Sequence, residues 1–430
     1  MLERLFALET FGIKLGLENI RRLCDALDHP EQTFLSFHIA GTNGKGSVTA
    51  MVHAALVAAG VHAARYTSPH LVHLNERFVV GNTPVDDATL RQVAEDVLDC
   101  ADRLQREGVL PAPPTFFEAT TAIAFELFRR KRVQVAVIEV GLGGRFDATN
   151  VLVPPVGAIT SIAFDHQQHL GYSLAEIATE KAGIIKPSMT VVCGSLPTVA
   201  LDVMKRVATD RGATLVEPTR DARIHYEMDQ GRARLTIETA KHRYGPMLLA
   251  LRGEHQVGNA VVAAGVLEAA GASGVDLPPP AVVQGFQTVN WPARLEFFRL
   301  SDGTRVLLDA AHNPEGARAL RLYLATWHPE RPTLVIGVMR DKDAEAIVGE
   351  LLPVTSAVIA TAADTSRAMP ANELASRVKV LDAQRSISAY ADVREALDAA
   401  LANSTTVCVA GSIFLAGAVR ESLEQRGILR

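Results

Sequence analysis

Short, nearly continuous apolar runs alternate along the chain with longer stretches in which apolar residues recur every three or four positions. That is the pattern of buried parallel strands joined by helices. Phe34 to Ala40, Val61 to Tyr66, Val133 to Val140 and Val156 to Ile162 predict strands. Residues 1 to 33, Val48 to Ala59, Pro84 to Glu107, Thr115 to Arg130 and Leu174 to Ile185 predict helices. Between 213 and 252 the texture changes: alternation such as Ala233 to Glu238, beside an Asp229-Gln230-Gly231 turn, predicts a small antiparallel piece. An Ala/Val-rich helix from Gly258 to Ala270 follows, then a Pro278-Pro279-Pro280 loop and a hinge at Trp291-Pro292-Ala293-Arg294. Beyond it, Arg305 to Asp309, Thr333 to Val338, Ala357 to Thr361 and Thr406 to Ala410 predict a second α/β unit. The expected fold is therefore α/β, with a mostly parallel N-terminal domain that includes the antiparallel piece (residues 1–292) and a smaller Rossmann-like domain (293–430).

The first strand feeds Gly41-Thr42-Asn43-Gly44-Lys45-Gly46-Ser47, and a helix follows. Glycines let backbone N–H groups close on a phosphate, a helix N-terminus adds partial positive charge, and Lys45 supplies a point charge. This predicts a nucleoside triphosphate site of P-loop type, although Ile39 stands where the general pattern has glycine and Gly46 separates Lys45 from Ser47. The competing explanation is a tight strand-to-helix turn.

Other polar residues fall just past strand ends, where open parallel sheets collect ligands. Ser68, in Thr67-Ser68-Pro69, is either a Mg²⁺ ligand or part of an ordinary turn. Glu139 closes a buried apolar run, a costly place for an unpaired carboxylate. His166 follows the fourth strand, as metal ligand or proton carrier, and Asp309 with His312-Asn313-Pro314 follows the first strand of the second domain. Thr115 and Glu118 form a capping box, and the adjacent Phe116 and Phe117 could also wall a flat heterocycle. Glu180-Lys181 reads simply as two charges on a helix.

Composition narrows the partners. A formal charge of −5 without a Lys/Arg-rich block argues against a general nucleic-acid binder. No run reaches the length of a membrane span, no secretory signal is evident, and four scattered cysteines suggest neither a zinc cluster nor a disulfide framework. A cytoplasmic protein is expected.

With GTNGKGS, TSPHL, NER (Asn75 to Arg77), EVGLGGRFDATN (Glu139 to Asn150), TSIAFDH, EKAGI and DAAHNP in order, the chain resembles the dihydrofolate synthase/folylpolyglutamate synthase family of the Mur-ligase superfamily. The resemblance implies an ATP-dependent ligase that adds L-glutamate to dihydropteroate, to a reduced folate, or to both. It implies ATP contacts at Gly44, Lys45, Gly46, Ser47, Asn259, Arg294 and Asp309. One Mg²⁺ would lie at Ser47, Ser68 and Glu139, and a second at His166, near a carbamylated Lys181. Pteroate contacts would fall on Gly12 to Leu15, on Thr115, Phe116 and Phe117, and on Phe146, Asp147 and Ala148; Lys45, Glu139, His166 and Lys181 would carry the catalysis, in a monomer. Gln167 and Gln168 stand where family members often carry a threonine or an acid. Two alternatives remain at this stage. Peptidoglycan Mur ligases carry a UDP-binding domain before the loop, whereas 40 residues precede Gly41 here; a nucleotide switch would not require an amino acid.

Overall fold

A computed structural model describes residues 2–8 and 16–428. The expected pteroate segment Gly12 to Leu15 lies outside the described residues. Eight strands, β1 (Leu35–Ala40), β2 (Ala63–Tyr66), β3 (Phe78–Val80), β4 (Thr83–Pro84), β5 (Val135–Glu139), β6 (Val156–Ile159), β7 (Thr190–Cys193) and β8 (Thr214–Val216), form one sheet. Its order is β4-β3-β2-β5-β1-β6-β7-β8, parallel except that β3 runs antiparallel to both its neighbours, β2 and β4. Four neighbouring strands, β2, β5, β1 and β6, therefore end side by side, and the Ser68, Glu139, Gly41 and His166 segments leave from those ends.

Both faces of this sheet are covered, which is why its strands read as unbroken apolar runs rather than alternating ones. One face packs on the helix Lys45–Ala58, on His255–Ala270 and on Pro279–Thr288; the other packs on Asp87–Arg106 and Phe116–Arg130. The helix after the glycine loop is buried nearly all round, with Val48, Ala50, Met51, Val52, Ala55 and Leu56 all inaccessible. It is clamped closely: a Cβ on Gly285 would stand 2.4 Å from the Ala55 nitrogen.

Strands β9 (Arg223–Asp229), β10 (Arg232–Glu238) and β11 (Arg243–Arg252) form the antiparallel piece, with the Gln230-Gly231 turn between the first two. The remaining strands, β12 (Glu296–Arg299), β13 (Arg305–Leu308), β14 (Thr333–Ile336), β15 (Val358–Ala360), β16 (Ile387–Ala389) and β17 (Thr406–Ala410), form a third sheet in the order β12-β13-β17-β14-β15-β16. Only β12 runs antiparallel in it.

Several boundaries differ from expectation for local reasons. The helix expected from Pro84 begins at Asp87, because the Asp86 carboxylate caps it by accepting the Thr89 N–H at 2.9 Å. Pro279 and Pro280 open a helix instead of sitting in a loop, since proline's fixed φ suits a first turn that needs no N–H there. The helix expected from Gly258 starts at His255, which brings Gln256 to the phosphate loop, where it bonds Ser47, and puts His255 on the wall of the same cleft. Strands β3, β4, β7 and β8 have four residues or fewer and gave no periodic signal. No described helix is long and apolar enough to cross a membrane.

Candidate functional site

The loop after β1 turns through Gly41 (φ 148°) and Gly44 (φ 83°), conformations that an L side chain rarely adopts. Space is also tight: a Cβ on Gly41 would stand 2.0 Å from Thr160 Oγ1, and one on Gly44 would stand 2.4 Å from Asn259 Oδ1. Lys45 opens the helix and folds back so that Nζ donates to the Gly41 and Thr42 carbonyls at 3.1 Å each. Burial lowers its pKa, and the Glu139 and Asp165 charges oppose that shift. Ser47 is buried, and its Oγ accepts Gln256 Nε2 at 3.3 Å; Gln256 Oε1 in turn accepts Asn259 Nδ2 at 2.9 Å. The loop is thus held by side chains of the helix His255–Ala270, and its Asn43 N–H donates to Ser161 Oγ at 2.9 Å.

Glu139, 6% exposed, accepts the Ser68 N–H on Oε2 at 3.3 Å. Burial raises its pKa while the Lys45 and Arg294 charges oppose the rise. A buried carboxylate with that single N–H bond among the described residues keeps lone pairs free for a cation. With the Ser47 and Ser68 hydroxyls it offers the hard oxygen donors that Mg²⁺ takes alongside phosphate oxygens and water. No cluster of three or more His, Cys, Asp or Glu side chains forms a cage among the described residues; these three oxygens would leave a metal's remaining positions to phosphate and water.

The second expected metal does not fit the side chains as they stand. His166 Nε2 accepts Lys342 Nζ at 3.2 Å, and that ammonium also pairs with Asp165. Burial, with Lys342 adding to it against the opposing Asp165, holds the His166 imidazole down to about 4. Lys181, 4% exposed, donates to the Gly41 carbonyl at 3.0 Å and lies outside the residues that line the cleft. A cation thus already stands at His166, and it comes from the C-terminal domain.

Arg294 and Asp309 flank the junction. Asp309 accepts the Leu295 and Ala311 N–H groups at 2.9 Å each; burial raises its pKa and Arg294 opposes the rise. The aromatic wall is present too. Phe117 stacks on Tyr66 at 6.2 Å beneath Gly141, where a Cβ would stand 2.5 Å from its Cζ, and Phe116 lies under the Arg77 guanidinium at 5.1 Å. Thr115 and Glu118 close their capping box around the same helix end. Phe146 lies under Arg145 at 4.7 Å, Asp147 accepts the Leu142 N–H at 2.8 Å, and Ala148 is buried beside them.

Gly44, Lys45, Gly46, Ser47, Ser68, Glu139, His166, Asn259, Arg294, Asp309, Thr115 to Phe117 and Phe146 to Ala148 all line one cleft of about 2130 Å³, and Lys181 does not. That exceeds the roughly 300–1,000 Å³ of a single-ligand pocket and can hold several substrates. The C-terminal domain closes onto it: Asn43 and Asn313 exchange hydrogen bonds at 2.9 and 3.3 Å, Asn43 donates to Glu315 at 2.7 Å, and Asp165 receives Asn313 at 3.2 Å. Sequence reasoning passed over Asn43, Asp165, His255, Gln256 and Lys342. The signal for Lys342 was available, since Arg340-Asp341-Lys342-Asp343 is a charged cluster just past a strand.

A glycine loop on a parallel sheet, closed over by a second α/β domain, is the build of the Mur-type ligases, and residues 293–413 match the family described as Mur ligase, glutamate ligase domain. Folylpolyglutamate synthase of Lacticaseibacillus casei is 35% identical over 94% of this chain and 93% of its own; dihydrofolate synthase/folylpolyglutamate synthase of Mycobacterium tuberculosis is 34% identical over 94% and 89%. Among solved structures, Mycobacterium tuberculosis folylpolyglutamate synthase complexed with ADP superposes with a TM-score of 0.91 at 33% identity, covering 98% and 97% of the two chains. E. coli FolC in complex with DHPP and ADP gives 0.87 at 28% identity, covering 99% and 98%. The chain belongs to the dihydrofolate synthase/folylpolyglutamate synthase family.

Proposed function

We propose that this chain joins L-glutamate in amide linkage to the carboxylates of both dihydropteroate and (tetrahydro)folyl-(poly)glutamate, with ATP converted to ADP and phosphate. As a member of its family it is an ADP-forming ligase. The observation that carries the proposal is the single cleft in which the glycine loop, the Glu139 and Ser68 oxygens and the aromatic wall face one another.

The carboxylate is a poor electrophile, so its oxygen attacks the γ-phosphorus of ATP; the β–γ bridging bond breaks, ADP leaves, and an acyl phosphate remains. Lys45 releases the loop carbonyls and turns its charge to the phosphoryl oxygens, while the first-turn N–H groups point at the same anion. Ser47, Ser68 and Glu139 would hold a Mg²⁺, which would supply neutralisation of the charge that builds on the transferred group. The amine of glutamate then attacks the acyl carbon, the C–O bond to phosphate breaks, and the amide forms without any side-chain nucleophile. The Asn43, Asn313, Asp165 and Lys342 contacts keep the second domain closed, so the acyl phosphate is shielded from water.

Carbamylation of Lys181 has physical support in one respect: burial pulls its pKa down to about 7, leaving neutral amine available to add CO₂ at neutral pH. Buried cysteines outside any disulfide suit a reducing cytoplasm, and the proposal takes the chain as a monomer. The test is ADP release with glutamate present, comparing dihydropteroate with a reduced folate. Turnover with both supports the bifunctional proposal, turnover with the folate alone restricts it to folylpolyglutamate synthesis, and sustained ADP release that neither acceptor nor glutamate accelerates would refute it.

A further inference from the structure

The linker between the helix Pro279–Thr288 and β12 sends its tryptophan onto the phosphate loop. A Cβ on Gly46 would stand 2.5 Å from Trp291 Cζ2 and 2.9 Å from both Cε2 and Nε1, so the indole rests directly on the backbone between Lys45 and Ser47. Over the same ring lies the Arg65 guanidinium, with Cζ 5.2 Å from the centroid. Trp291 Nε1 and Arg65 Nε are both buried without a hydrogen-bond partner among the described residues. Stacking and packing, not hydrogen bonds to those atoms, hold the pair in place.

The linker is also tied to the second domain. The Ala310 N–H donates to the Ala293 carbonyl at 2.9 Å, and Asp309 receives the Leu295 N–H at 2.9 Å. Any rotation of that domain about residues 289–293 therefore pulls on Trp291. The loop below it cannot yield freely, because Gly41 and Gly44 are closely packed against Thr160 and Asn259. We propose that Trp291, backed by Arg65, is a positioning residue that sets the height of Gly46 and couples domain closure to the order of the phosphate loop. This rests on the assignment of that loop to ATP.

The chain has two tryptophans, Trp291 and Trp327. In Trp327→Phe protein, Trp291 becomes the sole indole, and its emission is followed during titration with the ATP analogue AMPPCP while calorimetry records binding independently. The expected result is an emission change that saturates with the calorimetric isotherm. Trp291→Ala is expected to raise KM for ATP by at least about tenfold, as displacement of a loop by a fraction of an ångström would. The KM values for glutamate and the folate acceptor should stay within about twofold, and Trp291→Phe should recover most of the loss. Arg65→Met should raise KM for ATP in the same sense by about threefold, which keeps the proposal testable if Trp291→Ala does not fold. A silent Trp291 in protein that binds AMPPCP by calorimetry, or equal losses in all three KM values, would overturn the proposal while leaving the ATP site standing. No calorimetric binding to the wild-type chain would remove both.

Discussion

Gly44→Ala offers a perturbation whose size can be worked out atom by atom. Gly44 has φ 83°, where an alanine costs about 1–2 kcal/mol in backbone strain alone. The three heavy atoms nearest its hypothetical Cβ, at 2.4, 3.2 and 3.5 Å, all belong to the Asn259 side chain. To make room, Asn259 must swing away and give up its 2.9 Å bond to Gln256, which in turn holds Ser47. Losing that bond adds about 1 kcal/mol, for a total near 2–3 kcal/mol. The collision, however, exists only while Asn259 is present. In an Asn259→Ala background the added methyl should cost only the strain, so the two substitutions should be non-additive by about 1 kcal/mol. Denaturant unfolding of the four proteins measures this cycle directly. Additivity within about 0.3 kcal/mol would mean that Asn259 does not pack on the loop as described.

Three further outcomes follow from the same geometry. Lys45→Ala and Glu139→Ala should each lower kcat by at least about 10³-fold with the fold retained, because they remove charge and cation support from the developing phosphoryl group; circular dichroism and ADP release check this, and substantial activity in either variant would contradict the assigned roles. Phe116→Ala should raise KM for the pteroate or folate acceptor by about tenfold and leave KM for ATP within about twofold, whereas Phe117→Ala should also destabilise by about 2 kcal/mol because it underlies Gly141 and Tyr66. His38 is buried, its Nε2 lies 2.8 Å from Thr149 Oγ1, and burial holds its pKa down to about 3. The unfolded chain then takes up this proton first as pH falls below about 6.5, so stability should drop by up to about 1.4 kcal/mol per unit between there and pH 3; His38→Asn should flatten the slope of denaturation midpoint against pH, and an unchanged slope would refute it.

Much of the site was legible because its chemistry sits in strand-end motifs. Gly41 to Ser47, Ser68, Glu139 and His166 each follow an apolar run, and the order β2-β5-β1-β6 makes those runs neighbours. Local pattern could not show the adjacency, which is a property of the crossovers; the family resemblance supplied it. Residues whose role depends on long-range closure stayed hidden. Lys342 lies 177 positions from Asp165, and Gln256 lies 209 from Ser47, so no spacing rule links them. The second metal illustrates the converse: the resemblance assigned His166 a cation, and the fold brings Lys342 to that nitrogen. Trp291 read as a hinge because of its neighbouring proline, while its contact with Gly46 emerged only from the packing of the linker.

The central claim is that this cleft turns a carboxylate into an acyl phosphate. It is tested most directly by labelling both oxygens of the acceptor carboxylate with ¹⁸O and analysing the phosphate released during glutamate-dependent turnover. One labelled oxygen should pass into each phosphate, because the oxygen that attacks the γ-phosphorus departs with it when the amide forms. Unlabelled phosphate, with amide still being made, would contradict the account.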